Sequence, residues 1–279
     1  MAEEKDWFRS VVPDDDLPPL RDIDTTVPHI ARIYNYWLGG KDYFAVDKEA
    51  AEKVIQATPA ILPGVRANRA FLGRAVRYLA AEAGIRQFLD IGTGIPSANN
   101  THEVAQSAAP GSRVVYVDND PIVLAHARAL LTSVTGATAY LDADVRDPGA
   151  ILAGAAATLD FSQPVAVMLI AIMHCVPDED DPYVIVRALL EAVPPGSYLV
   201  LSQPAKDMIP EKSAQAEAAL TQAMRQKVQY RTHAEVSRFF DGLELVAPGL
   251  VHLPEWRPDE PVDPDGPVTG MWGGVGRKL

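Results

Sequence analysis

The sequence has only one cysteine, Cys175, among its 279 residues. A single cysteine cannot form a disulfide within the chain, which is typical of a reducing compartment, so we expect a cytoplasmic protein. Long hydrophobic runs are also missing, because no stretch of about 18 uncharged apolar residues is present, as a membrane-spanning helix would require. The first residues, MAEEKDWFRSVVPDDD, lack the apolar segment of a signal peptide. These absences predict no association with a membrane.

Basic residues are few relative to acidic ones. Lys and Arg number 25 against 37 Asp and Glu, which gives a formal net charge of −12. A surface that binds nucleic acid needs a basic face, because it must contact the phosphate backbone. The charge balance therefore predicts no nucleic-acid partner and favours a small-molecule ligand. Hydrophobic residues make up 48% of the chain, which is enough for a globular core.

The residue pattern divides the chain into three parts. Residues 1–25 contain three consecutive aspartates and several prolines without an apolar period, which predicts an acidic disordered tail. Residues 26–84 carry helical patterns with proline or glycine at several of their ends, and we interpret them as an N-terminal helical cap. Residues 85–279 alternate short apolar runs with helical patterns and form the predicted main domain.

Continuous apolar runs bounded by turn residues predict the strands of this main domain. Because helical patterns lie between several of the runs, they indicate a parallel sheet buried on both faces. The last two runs are separated by a proline-rich loop without a crossover helix, and such strands pair antiparallel. We therefore expect an α/β fold with a doubly wound, mainly parallel sheet and a reversed last strand. The predicted strands lie at residues 87–91, 113–117, 138–141, 165–172, 198–202, 243–246 and 268–276.

The stretch FLDIGTGIPSANNTHEVA, residues 88–105, is typical of a strand, a glycine turn and the start of a helix. Gly92 and Gly94 allow the backbone to turn sharply and to approach a ligand closely. A dinucleotide-binding loop would continue to a third glycine, where this sequence has Ser97. Asp90 would repel a pyrophosphate but attract an ammonium or a sulfonium. The stretch therefore disfavours a nicotinamide dinucleotide and favours a cationic ligand.

Carboxylates also follow the next two predicted strands. Asp118 ends the second strand, where it could accept hydrogen bonds from two ribose hydroxyls, and Asp144 follows the third, where it could accept one from an adenine amino group. Carboxylates at three successive strand ends suit a positively charged ligand without phosphate, and S-adenosylmethionine is such a ligand. Taken singly, an aspartate at a strand end is often only a turn residue or a helix cap, so the prediction depends on the repeated pattern.

The chain beyond its acidic tail resembles the class I S-adenosylmethionine-dependent methyltransferases, and most of all an actinobacterial family of them whose substrates are largely unassigned. The segments that carry the resemblance are ARIYNYWLGGKDYFAVD, RANRAFLGRAVRYL, QFLDIGTGIPSANNTHEVA, VVYVDNDPIVLAHARALL and FFDGLELVAPGLV. The resemblance implies a Rossmann-like, seven-stranded sheet, with S-adenosyl-L-methionine as the cofactor. It also implies cofactor contacts at Asp90, Gly92, Gly94, Asp118, Asn119, Asp144 and Val145.

The segment IAIMHCVPDED follows the fourth predicted strand, beside the expected cofactor. His174 is therefore the candidate base or substrate-orienting residue for methyl transfer. The alternative is a structural histidine that is hydrogen-bonded at a strand end. Methyltransferases that act on amino groups of nucleic-acid bases resemble one another in an Asn/Asp-Pro-Pro-aromatic motif here, which this acidic segment lacks. The acceptor is thus expected to be a small molecule.

Aromatic residues beside a double glycine in RIYNYWLGGKDYF are typical of a lid over a pocket. We interpret Tyr36 and Lys41 as substrate or lid residues, and the alternative is that the aromatics only pack on the sheet. Arg66, Asn68 and Arg69 lie within one helical turn, and we place Arg66 and Asn68 in the same group. One of the two arginines could pair with the methionyl carboxylate of the cofactor; otherwise both are solvated or capping charges.

The preferred function is that of an S-adenosylmethionine-dependent methyltransferase that acts, without a metal, on a small molecule such as a specialised metabolite. Two alternatives stay open. The weaker is a nicotinamide-dependent oxidoreductase, which Asp90, Asp144 and the missing third glycine disfavour. The other is a sensor or scaffold that binds S-adenosylmethionine without transferring methyl, because it would carry the same cofactor residues. No pattern in the sequence indicates the acceptor atom or the oligomeric state.

Overall fold

The computed structural model describes residues 24–97, 99–130 and 136–279. Almost all of the predicted acidic tail, residues 1–25, lies outside these described ranges. Within them, no helix combines the length and the apolar character needed to cross a membrane.

The strands of the described residues form one mixed sheet. Their order across the sheet is β3-β2-β1-β4-β5-β8-β6, with the short β7 also paired to β8. Strands β1 to β5 run parallel, whereas β8 is antiparallel to β5, β6 and β7. The prediction of a doubly wound, mainly parallel sheet with a reversed last strand is confirmed. The strands are β1 (Gln87–Ile91), β2 (Arg113–Asp118), β3 (Thr138–Asp142), β4 (Ala166–Ile170), β5 (Tyr198–Pro204), β6 (Leu243–Leu245), β7 (Val251–His252) and β8 (Met271–Lys278).

Helices cover both faces of the sheet. The sequence sets several of their starts, since a proline begins each of α5 to α8, where its missing N–H costs nothing. The helices are α1 (Ile30–Trp37), α2 (Ala45–Ala57), α3 (Ile61–Ala81), α4 (Thr101–Ala108), α5 (Pro121–Leu130), α6 (Pro148–Ala155), α7 (Pro182–Glu191), α8 (Pro210–Met224) and α9 (His233–Ser237).

The central strands alternate their side chains between two apolar cores. Phe88 and Leu89 are neighbours in β1, yet Phe88 packs with residues of α3 and α4, and Leu89 packs with residues of α6 and α7. Successive strand residues point to opposite faces of a sheet, so a strand between two helical layers must be apolar at every position. This is why β1 is buried along its whole length.

The N-terminal helices differ in what they pack against. Helices α1 and α2 share an apolar cluster with α8, in which Ile33, Ala51 and Leu220 are buried. A buried ion pair of 3.0 Å between Arg32 Nε and Asp47 Oδ2 joins α1 to α2. Helix α3 contributes Val65 to the same cluster and also packs on the sheet through Phe71. Two of the three cap helices thus stand apart from the sheet, and the third forms part of its covering layer.

The strand order places a crevice beside β1. Strand β2 lies on one side of β1 and β4 on the other, so the helices that follow β1 and β4 cover opposite faces of the sheet. In open α/β sheets, ligands bind outside the carboxyl ends of the strands at such a point of reversal. Helix α1 lies above this edge of the sheet.

Candidate functional site

A cavity of about 290 Å³ opens at the carboxyl ends of β1 to β4. The chain before and within α1 forms its roof, α3 contributes one side, and the residues around the end of α8 close another. The structure brings into its wall all seven residues that the sequence assigned to the cofactor: Asp90, Gly92, Gly94, Asp118, Asn119, Asp144 and Val145.

The glycine loop has a conformation that explains both of its glycines. Gly92 and Gly94 have φ angles of +74° and +68°, in the left-handed region that favours glycine. A Cβ at Gly92 would also lie only 2.6 Å from the Ile172 side chain of the neighbouring loop. The loop therefore has to present bare backbone to the cavity, and Gly92 additionally lets the segments after β1 and β4 approach each other.

Asp118 holds this loop to the end of β2. Its Oδ2 accepts a hydrogen bond from the Gly94 amide at 2.8 Å, and its Oδ1 accepts one from the Asp120 amide at 3.0 Å. Burial raises the pKa of the Asp118 carboxyl, and the two amide hydrogen bonds oppose that effect. Each carboxylate oxygen has a second lone pair, so the same side chain can also accept hydrogen bonds from ligand hydroxyls.

Asp90 is the most deeply buried of the cavity carboxylates, with 3% of the residue exposed. Its Oδ2 accepts a hydrogen bond of 2.6 Å from the Thr101 hydroxyl at the start of α4. Burial raises the pKa of Asp90 to about 6, while the Thr101 hydrogen bond and the charge of Arg69 act in the opposite direction. A cationic ligand group beside Asp90 would therefore contact a carboxylate whose negative charge the surrounding protein compensates only in part.

Arg69 lies in the cavity wall, whereas Arg66 is not among the described residues that line it. The Arg69 guanidinium donates to the Asn99 carbonyl at 3.1 Å and to Asn100 Oδ1 at 3.2 Å, which hold it at the start of α4. Arg66 was the arginine predicted to be a substrate or lid residue, and Arg69 was the other arginine that could pair with the methionyl carboxylate. Residues three apart on a helix share a face, so spacing alone could not choose between them.

Asp144 lies at the far end of the cavity in a polar cluster. Asn119 Nδ2 donates to Asp144 Oδ2 at 3.2 Å, and the Arg146 amide donates to Asp144 Oδ1 at 2.9 Å. The Arg146 guanidinium is held in turn by Asp180 Oδ2 at 2.8 Å and by the Cys175 carbonyl at 2.7 Å. The cluster orients Asp144 before any ligand arrives.

The roof carries two further polar groups, His29 and Tyr34. Tyr34 belongs to the aromatic cluster of the predicted lid, whereas no sequence pattern singled out His29. His29 Nδ1 lies 2.9 Å from Asp120 Oδ2, which joins the roof to the loop after β2. Asn68 Nδ2 donates to the Tyr34 hydroxyl at 2.9 Å, and Ser202 Oγ donates to Asn68 Oδ1 at 2.6 Å. Asn68, which was predicted to be a site residue, thus connects the roof to β5 and lines the cavity.

The other predicted lid residues lie elsewhere. Tyr36 donates from its hydroxyl to Glu52 of α2 and packs edge-on against Tyr43, with ring centroids 4.9 Å apart. Lys41 is exposed. Neither is among the described residues that line the cavity. Tyr36 faces away because residues two apart on a helix such as α1 point in different directions, and Tyr34 takes the inward position. Lys41 lies beyond the end of α1.

His174 lies behind the cavity wall, with 5% of the residue exposed. Burial, together with the charge of Arg231, lowers the pKa of His174 to about 4, so its ring is neutral near pH 7. Its Nδ1 is buried without a hydrogen bond to any residue in the described part of the chain. The neighbouring Cys175 lines the cavity instead. Burial raises the pKa of the Cys175 thiol to about 12, so it too is uncharged.

The profile of a family described as S-adenosyl methyltransferase matches residues 18–279. A crystal structure of a DUF574-family protein from Streptomyces avermitilis is 50% identical in sequence, covers 92% of this chain and 100% of its own, and superposes with a TM-score of 0.89. A candidate methyltransferase from Thermobifida fusca is 42% identical, covers 91% of this chain and 96% of its own, and superposes with a TM-score of 0.85. No curated protein shows significant similarity.

Proposed function

The chain belongs to the S-adenosyl methyltransferase family, and we propose that it transfers the methyl group to a small molecule, such as a specialised metabolite, held under the roof of the described cavity. Its methyl donor is S-adenosyl-L-methionine. The observation that carries the proposal is the cavity itself, which the predicted cofactor residues and the roof residues His29 and Tyr34 line together.

The residues of the cavity fit this cofactor. The left-handed glycines leave bare backbone next to Asp118, which is placed to accept from ribose hydroxyls. Asp90 and Arg69 supply one carboxylate and one guanidinium at the same end of the cavity, and they match the ammonium and the carboxylate of a methionyl group. Asp144 and Asn119 offer polar atoms for the adenine at the other end.

When bound, the cofactor supplies a methyl group on a sulfonium, and its displacement requires alignment with the acceptor more than covalent help from the protein. The residues of this chain align the methyl donor with the acceptor, and they exclude water from the cavity. His29 and Tyr34 in the roof and Asn68 at the side cover the cavity and shield it from solvent. His174 is neutral and lies behind the wall, which supports a positioning role through packing over a role in proton transfer.

The size and charge of the site support a small acceptor. The cavity volume of about 290 Å³ lies near the lower end of the range of about 300–1,000 Å³ that is usual for small-molecule sites. The net charge of −12 disfavours nucleic acid as acceptor. The single cysteine supports a reducing compartment, so we place the reaction in the cytoplasm.

The proposal is tested by following a labelled methyl group from S-adenosylmethionine. The protein is incubated with a fraction of small metabolites, with total RNA and with heat-treated cell protein, and each fraction is counted after separation. We expect label in the small-metabolite fraction, and much less there with a variant that binds cofactor poorly, Asp118→Ala, when the cofactor concentration is below its dissociation constant for the variant. Label confined to RNA or protein, or no transfer in any fraction by protein that binds S-adenosylhomocysteine, would overturn the proposal.

A further inference from the structure

The cavity has one wall that the cofactor residues do not occupy. We call it the acceptor wall and define it as Ile30, Tyr34, Ile172, Met224 and Gln226. Building on the proposed function, we propose that this wall binds an uncharged, mainly apolar acceptor, with the Gln226 amide as its hydrogen-bonding group at the mouth.

The residues of the acceptor wall line one cavity, although they come from distant parts of the chain. Ile30 and Tyr34 lie one turn apart on α1, and both pack against the apolar cluster that contains Met224. Met224 is the last residue of α8, after which Arg225 adopts a left-handed conformation with φ +53° and ends the helix. This turn directs the chain so that Met224 and Gln226 both line the cavity, whereas Arg225 does not.

The charged groups of the cavity outside the acceptor wall, together with His29, are already engaged with other residues. Arg69 donates to Asn99 and Asn100, Arg146 donates to Asp180, and His29 lies beside Asp120. Asp90 accepts from Thr101, and Asp118 accepts from the Gly94 amide. Asp144 is held by Arg146, with a contact of 3.3 Å between Arg146 NH1 and Asp144 Oδ1. These carboxylates follow β1, β2 and β3, so charge is concentrated at the edge of the sheet where the cofactor residues lie.

Tyr34 is the only ionisable residue of the acceptor wall, and it is uncharged near neutral pH. Burial raises the pKa of its phenol above the ordinary value. Its hydroxyl donates to the Val65 carbonyl at 3.2 Å and accepts from Asn68. The hydroxyl is thus directed into the protein, which leaves the aromatic ring as the surface that Tyr34 presents to a ligand.

An acceptor with a formal charge would lose water against this wall without meeting a countercharge. Burying an unpaired charge is costly, whereas an apolar ring or chain gains from the same burial. Gln226 is exposed at the mouth of the cavity and makes no hydrogen bond to another described residue. A neutral amide can donate and accept, so it suits a hydroxyl, carbonyl or neutral amine.

The residues that follow Gln226 are hydrogen-bonded to the loop after β4. The Gln229 amide donates to the His174 carbonyl at 2.8 Å, and Gln229 Oε1 accepts from the Asp178 amide at 2.9 Å. The buried Arg231 guanidinium donates to the Met173 and Val176 carbonyls, each at 2.8 Å. These bonds attach residues 229–231, which follow Gln226 by three to five positions, to the loop after β4.

The test uses three probes with the same ring and different charges: 2-naphthol, 2-naphthoate and 2-naphthylmethylammonium. Each is titrated at pH 7 by NMR into protein saturated with S-adenosylhomocysteine. We expect 2-naphthol to bind at least about tenfold more tightly than either ion, because the ions lack a countercharge. An ion that binds as tightly as 2-naphthol, or no binding of 2-naphthol, would overturn the proposal.

Gln226→Glu provides a second, independent measurement, and Gln222→Glu, at an exposed position of α8, is its matched control. Both positions are exposed, so neither substitution should disturb folding. In Gln226→Glu, the affinity for the ammonium probe should rise about threefold or more and the affinity for the naphthoate should fall, as expected for a partly solvated ion pair. Equal effects of the two variants would contradict the assignment of Gln226.

These binding measurements are separate from the test of the proposed function. Loss of methyl transfer to every small metabolite, with the probe preference intact, would reject the proposed function and retain the acceptor wall. Methyl transfer to charged metabolites, with no preference for 2-naphthol, would retain the proposed function and reject the acceptor wall.

Discussion

The amide of Gly94 donates to Asp118 Oδ2 across 2.8 Å, so the turn after β1 and the carboxylate after β2 hold each other in place. Neither group needs a ligand for this contact. The glycine loop is consequently positioned before the cofactor binds, and the conformational cost of ordering it is met during folding. Asp118 therefore has two tasks, since it orients the loop and offers its remaining lone pairs to the ribose.

Replacing Asp118 by alanine should weaken S-adenosylhomocysteine binding at least about tenfold. The variant loses the predicted ribose contacts, and a hydrogen bond to a charged group is typically worth about 1.5–3 kcal/mol. Calorimetry with purified protein measures the affinity. Asp265→Ala, an exposed aspartate remote from the cavity, is the control and should bind as the unmodified protein does. An unchanged dissociation constant in folded Asp118→Ala would make Asp118 a turn residue only.

Arg69→Gln and Arg66→Gln separate the two arginines of one helical turn. Only Arg69 lines the cavity, so Arg69→Gln should lower the affinity for S-adenosylhomocysteine about tenfold, because the methionyl carboxylate loses a charged partner. Arg66→Gln should leave the affinity unchanged. A stronger test uses adenosine, which has no carboxylate: its binding should be equal in both variants. If adenosine binding also falls in Arg69→Gln, Arg69 acts by holding the loop before α4 and not by binding the methionyl carboxylate.

Gly92→Ala should lower the free energy of unfolding through two separate effects. The φ angle of +74° costs a side chain about 1–2 kcal/mol, and the contact of 2.6 Å with Ile172 adds about 1–3 kcal/mol of overpacking. Gly39→Ala is the matched control, because Gly39 has a φ of +85° with no atom within 4 Å of the added Cβ. Urea unfolding should give a smaller loss for Gly39→Ala. The double variant Gly92→Ala/Ile172→Ala should recover only part of the steric loss, because alanine removes the contacts with Cγ1 and Cδ1 but keeps the Cβ at 2.8 Å. The non-additivity of the two substitutions measures that part.

Asp90 should make stability depend on pH in a defined direction. Its pKa in the folded protein is about 6, above the ordinary 3.8, so the folded state takes up this proton first as the pH falls. Between pH 7 and pH 5, the free energy of unfolding should rise by about 1 kcal/mol relative to that of Asp90→Asn, which does not titrate. The asparagine keeps an oxygen to accept from Thr101. Parallel pH profiles of the two proteins would show that Asp90 has an ordinary pKa.

Residues 28–45 should exchange their amide hydrogens more slowly when S-adenosylhomocysteine binds. The structure narrows this expectation, because His29 and Tyr34 line the cavity while Tyr36 and Lys41 do not. Protection should therefore increase for residues 29–34 more than for residues 39–45, and least for the distant pair β6 and β8. Hydrogen-exchange mass spectrometry measures all three regions at once. Exchange at 29–34 that is slow without ligand and unchanged by it would mean that the roof is fixed packing and does not act as a lid.

The sheet, and the edge of it at which the cavity forms, could be predicted from local sequence patterns. Strand periodicity and turn residues are local signals, and the carboxyl ends of parallel strands necessarily meet at one edge of the sheet. Glycines and aspartates placed after β1, β2 and β3 therefore had to come together, as Gly94, Asp118 and Asp144 do. The clustering of these residues could therefore be predicted from the order of the strands, without any other long-range contact.

Which side chains face the cavity from the other elements depends on long-range packing and could not be predicted from the sequence. His174 and Cys175 are neighbours in one short 3-10 turn, and contacts with the segment around Arg231 place Cys175 in the wall and His174 behind it. Gln226 reaches the mouth because α8 packs on α1 through a shared apolar cluster, nearly 200 residues apart in the chain. Such contacts depend on the packing of whole elements, which local patterns do not contain.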